Sequence, residues 1–186
     1  MLRINEIMKR CPTFFVFFIA AFIIFKPSLA VDISNCTQIN SSGTYYVTND
    51  LYGPSNAPCI IINSDDVTLD CQNYTIYGPG IGWGILVINE THSPGIRSNV
   101  EIKNCKIQNY EIGIVLHAKN TVIRNVYING NNIANSFGLA VRYGPISLIG
   151  VSVTGTHVGA SIIDSDVAIV RQFASTSNRC MELNGI

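Results

Sequence analysis

The chain repeats itself at short intervals, and that constrains its fold more than any other feature. Four segments open with glycine and continue with β-favouring residues: Gly84-Ile85-Leu86-Val87, Gly113-Ile114-Val115-Leu116, Gly138-Leu139-Ala140-Val141 and Gly159-Ala160-Ser161-Ile162. Their starts are 29, 25 and 21 residues apart. A fifth segment, Cys59-Ile60-Ile61-Ile62, precedes them with cysteine in the glycine position. A second alternating run follows each: Val67-Thr68-Leu69, Val100-Glu101-Ile102, Thr121-Val122-Ile123, Ile146-Ser147-Leu148 and Val167-Ala168-Ile169. A third apolar pair comes after a polar or small corner, Cys105 with Ile107, Val126 with Ile128, and Val151 with Val153. Asn104, Asn125 and Gly150 stand at that corner. Asparagine tolerates the left-handed backbone a tight corner needs, and its amide can ladder with an asparagine in the next coil.

Short runs of period two, rich in Ile, Val and Thr and broken by Gly or Asn, argue against helix. An antiparallel sandwich also uses short strands, but it has no reason to repeat one three-strand unit in register. Stacked coils do, because each buries its inward residues only against its neighbours. The expected fold is all-β, a right-handed parallel β-helix of about five coils over residues 57–186, with residues 31–56 as an N-terminal cap. At roughly 4.8 Å per coil the stack is about 24 Å long. Cys180-Met181-Glu182-Leu183 falls 21 residues after Gly159, where a sixth coil should start. Three explanations stand for a stack without a terminal cap: a piece of a longer protein, a truncated gene product, or an end covered by another chain or a second copy.

Residues 1–30 read as a secretory signal peptide. Lys9 and Arg10 precede an apolar run from Phe14 to Phe25, and Ser28-Leu29-Ala30 supplies a small-x-small cleavage signal. That run spans roughly 18 Å as a helix against roughly 30 Å of hydrocarbon, too short for a comfortable membrane span. The expected location is secreted, extracellular or cell-surface, or periplasmic in a Gram-negative bacterium. Cys11 leaves with the leader, while Cys36, Cys59, Cys71, Cys105 and Cys180 remain. An odd count leaves at least one thiol without a partner in the chain. One disulfide is expected among Cys36, Cys59 and Cys71, with Cys36–Cys59 favoured. Four N-x-[ST] sequons mark Asn35, Asn40, Asn73 and Asn89 as candidate glycosylation sites on surface loops.

The full chain carries twelve basic and twelve acidic residues. Loss of the leader removes Arg3, Lys9, Arg10, Lys26 and Glu6, leaving eight basic against eleven acidic residues and a net charge of −3. Nothing here supplies the basic footprint that nucleic acid requires.

The repeat pattern resembles the right-handed parallel β-helix superfamily, the pectin-lyase-like fold. The stretch from Gly43-Thr44-Tyr45-Tyr46-Val47 through Asp66-Val67-Thr68-Leu69-Asp70-Cys71 is similar to the opening of NosD-like exported β-helix domains. The resemblance implies an exported solenoid, and many members of the superfamily cleave acidic polysaccharides. Such cleavage needs two carboxylates facing one bond. If the residue after each glycine points inward, the outward positions are Ile61, Leu86, Val115, Ala140 and Ser161, then Asn63, Ile88, His117, Arg142 and Ile163, with no carboxylate among them. Asp65 and Asp66 read as turn formers. The outward apolar stripe implies cover by the N-terminal segment, another domain or a partner. His117 and Arg142 are the candidate ligand-binding pair, placed to stack on adjacent coils and hydrogen-bond an anionic sugar, and solvent-facing shielding is their structural alternative. Trp83, Tyr45, Tyr46, Tyr77, Tyr110 and Tyr143 offer sugar-stacking rings or corner packing. Copper needs clustered thioether, thiolate or imidazole ligands, and these are scattered, so no metal or cofactor is expected. The leading expectation is an exported non-catalytic module, structural or adhesive, with a polysaccharide or cell-surface glycan as ligand. A fragment of a polysaccharide lyase or glycoside hydrolase, and a NosD-like periplasmic accessory protein, are the alternatives.

Overall fold

The computed structural model describes residues 30–88, 96–164 and 168–184. It is a parallel β-solenoid of about six turns with no helix among the described residues. The first face stacks Thr37–Ile39, Ile60–Ile62, Trp83–Val87, Ile112–Lys119, Phe137–Arg142, Val158–Ile163 and Arg179–Asn184. The second face begins with Ala30–Ile33, Gly43–Val47, Val67–Asp70 and Val100–Lys103. The third begins with Leu51–Tyr52, Thr75–Tyr77 and Lys106–Gln108. In the later coils both faces are one bent strand, Thr121–Asn129, Ile146–Thr154 and Ala168–Ser175. A single left-handed residue makes each bend: Asn125 at φ 51°, Gly150 at 65° and Gln172 at 57°. One such residue turns the chain without losing the ladder, so the expected pair of short strands is continuous here.

The residue after each repeat glycine points inward. Ile60, Ile85, Ile114, Leu139 and Ala160 align in one column and are fully buried. Leu69, Ile102, Ile123 and Leu148 form the matching column of the second face. Full burial of such a Leu, Ile or Val side chain contributes about 1.5–3 kcal/mol. Residues 31–56, expected as a cap, pair within the stack: Thr37–Ile39 lies beside Ile60–Ile62, and Gly43–Val47 beside Val67–Asp70. That adds a coil at the N-terminal end and accounts for about six turns where the sequence repeats suggest five.

Two disulfides tie neighbouring coils. Cys36–Cys59 joins Cα atoms 4.5 Å apart, and Cys71–Cys105 joins Cα atoms 4.8 Å apart. Both separations match the spacing between coils. Cys180 is a free, exposed thiol.

Candidate functional site

The corner between the third and first faces carries the loops 53–59, 78–82 and 130–136, and two open cavities lie there. The residues just before successive first-face strands form a column, Gly82, Glu111, Ser136, His157 and Asn178. Backbone bonds hold it: Ile112 N–H to the Gly82 carbonyl (3.1 Å), Phe137 to Glu111 (2.9 Å), Val158 to Ser136 (3.0 Å) and Arg179 to His157 (3.1 Å). Two troughs open along this column.

The first, about 520 Å³, is lined by Ser55, Asn56, Pro58, Ile81, Trp83 and Glu111. Trp83 is 39% exposed and Ile81 51% exposed. The Gly-Pro-Gly turn at residues 78–80 shapes this corner, and Gly80 and Gly82 have φ of 96° and 75°. Tyr110 plugs the corner from inside. Its ring leaves Gly78 no room for a side chain, since a Cβ there would lie 2.6 Å from the ring's Cγ. Its hydroxyl donates to the Tyr77 carbonyl at 3.1 Å, and burial pushes that hydroxyl's pKa up to about 12.

The second trough, about 460 Å³, is lined by Asn132, Ile133, Thr156, His157, Thr176 and Asn178. Its wall is braced by Ser136, whose hydroxyl donates to the Ile133 carbonyl (2.7 Å) and accepts the His157 N–H (2.9 Å). Asn178 Nδ2 lies 3.3 Å from His157 Nδ1, and the Thr156 and Ser177 hydroxyls are 2.6 Å apart. Asn131 donates its amide to the Gly80 carbonyl, linking the loop of the second trough to that of the first.

His117 and Arg142 are register partners on adjacent coils. His117 is half-buried and Arg142 exposed. Burial, and then the Arg142 guanidinium, hold the imidazole below the ordinary histidine range. The Tyr143 ring meets it edge-on at 6.1 Å. Five strand residues separate Ile112 from His117, about 17 Å, so this pair sits at the other end of the first face from the troughs. Of the aromatic residues, Tyr45 and Tyr110 are buried packing groups, while Tyr77 stacks on the exposed Tyr52 at 5.1 Å.

In the outward stripe Leu86 and Val115 are buried and Ile61 and Ala140 half-buried. The N-terminal segment lies in the stack rather than over this face. Asn35, Asn40 and Asn73 are exposed, whereas Asn89, His92 and nearly all of the leader lie outside the described residues. Among the described residues no three of His, Cys, Asp and Glu gather closely enough to hold a metal ion. Several carboxylates serve the corners instead. Asp65 accepts the Ser98 N–H (2.8 Å), Asp66 the Asn99 amide (2.8 Å) and Asp50 the Thr75 N–H (2.8 Å). Asp70 pairs with Lys103 (3.7 Å) and Glu101 with Arg124 (3.5 Å).

Glu111, His157 and Asn178 were not singled out by sequence reasoning. Their shared signal is position, three residues before the inward residue of a coil. Comparison with known proteins returns no matching family, no matching curated protein and no matching solved structure.

Proposed function

We propose that this chain is an exported, non-catalytic β-helix module of the pectin-lyase-like kind, structural or adhesive in role, that holds a cell-surface or extracellular glycan. The observation that carries the reading is the first trough, where an exposed indole and an isoleucine form an apolar floor beside Glu111, Ser55 and Asn56. Sugars present one apolar C–H face and a rim of hydroxyls, and an aromatic floor with a few polar groups suits both. Support for a non-catalytic role comes from the carboxylates spent on turns and ladders. Export is supported by the leader's pattern and by two disulfides, which persist in oxidising compartments.

The test is binding of the purified chain to a panel of immobilised polysaccharides, with Trp83→Ala as the comparison. Trp83 is partly exposed, so the variant should melt close to the parent while losing at least tenfold in affinity, about 1.4 kcal/mol. Equal binding by both proteins, or none by the parent, rejects the reading.

A further inference from the structure

We propose that the two troughs are subsites for one extended, uncharged sugar chain lying along the axis of the stack. The proposal rests on the glycan reading above and adds the orientation, length and charge class of the ligand.

Three observations carry it. Both troughs belong to one column, since Gly82 and Glu111 line the first while His157 and Asn178 line the second. From Gly82 to Asn178 is four coil spacings, about 19 Å at roughly 4.8 Å each, a span that takes several sugars rather than one. The troughs are also held in fixed relation, because Asn131 from the second loop bonds Gly80 in the first. A chain lying on both sites therefore meets a preformed surface, and little binding energy is lost to ordering loops.

The charge pattern selects the ligand class. Neither lining contains lysine or arginine, and Glu111 is the one carboxylate. Arg179, next to Asn178, is paired with Glu182 at 2.5 Å. A uronate or sulfated chain would meet Glu111 with no lysine or arginine in either lining to offset the repulsion. An uncharged chain suits what is there: C–H faces on Trp83 and Ile81 at one end, and hydroxyls on the amides and hydroxyls of Asn132, Thr176 and Asn178 at the other. The Arg142–His117 pair, the place best suited to an anion, lies off this line at the far end of the first face.

Titration calorimetry tests the proposal with disaccharides and hexasaccharides of neutral glucose, mannose and galactose, and with a galacturonate hexasaccharide. The full chain is compared with Trp83→Ala and Asn178→Ala, each first shown to melt cooperatively. One neutral hexasaccharide should bind at least tenfold more tightly than its disaccharide. Trp83→Ala should weaken both lengths, whereas Asn178→Ala should weaken the hexasaccharide about threefold to tenfold and leave the disaccharide unchanged. Equal affinity for both lengths, indifference of the hexasaccharide to Asn178→Ala, or tighter binding of the galacturonate chain overturns the two-subsite proposal while the glycan reading survives. If none of these sugars binds and the polysaccharide panel is also negative, the glycan reading falls with it.

Discussion

At the first inward position of the second face, the stacked coils place Val67, Val100, Thr121 and Ile146, all nearly inaccessible. Thr121 is the polar member of this column, and its buried hydroxyl has no hydrogen-bond partner. Desolvating such a group without a partner costs about 1–3 kcal/mol, and valine has nearly the same shape. Thr121→Val should therefore raise stability by about 1 kcal/mol, which for a domain of this size moves the melting temperature up by about 2–4 °C. A calorimetric scan checks this, and an unchanged or lowered transition would mean that the hydroxyl is satisfied. The inward or outward sense of such residues was legible in the sequence, because a period-two strand leaves one choice of phase per face. Whether a threonine facing inward finds a partner was not legible, because that depends on side chains from other coils.

Corners, more than strands, distinguish this stack at the level of its elements. The repeat glycines sit where the third strand closes back on the first. A Cβ at Gly113 would lie 2.7 Å from Ile128 Cγ2 and 2.7 Å from the Gly138 carbonyl oxygen, and one at Gly84 would lie 2.8 Å from Ile107 Cγ2. One neighbour is backbone of the next coil and cannot swing aside, so Gly113→Ala should cost about 1–3 kcal/mol, as overpacking does. Urea denaturation should show a lower midpoint, and an unaltered midpoint would refute the close-approach account. The polar corners work by a different means. Asn104 donates to Asp70 (3.0 Å) and Asn125 to Asn104 (3.4 Å), the ladder anticipated from the sequence. A second ladder, Asn120 to Asn99 (3.3 Å) and Asn99 to Asp66 (2.8 Å), runs between the first and second faces. All five of Asp66, Asn99, Asn104, Asn120 and Asn125 have φ between 51° and 57°. The second ladder escaped notice because Asp66 heads it and the segment between Val87 and Val100 differs in length from its counterparts.

For the molecule as a whole, stability in a solenoid is a chain of nearest-neighbour interfaces, and both disulfides fall in its N-terminal half. Each typically contributes about 2–4 kcal/mol. Reduction should therefore speed amide hydrogen exchange in residues 37–77 much more than in residues 146–163, as mass spectrometry of peptic fragments can read. Uniform acceleration along the chain would show that the coils unfold as one unit and not from an end.

By itself the sequence determined the fold class, the inward phase, the asparagine corner and the positions where glycine recurs, since each is local or repeats at a period visible along the chain. The Cys71–Cys105 bridge, the second ladder and the alignment of Glu111, His157 and Asn178 were decided by tertiary structure. These depend on register between coils of unequal length, 29, 25 and 21 residues. Residues at unequal sequence spacing become neighbours only once backbone hydrogen bonding has brought each coil into line with the next.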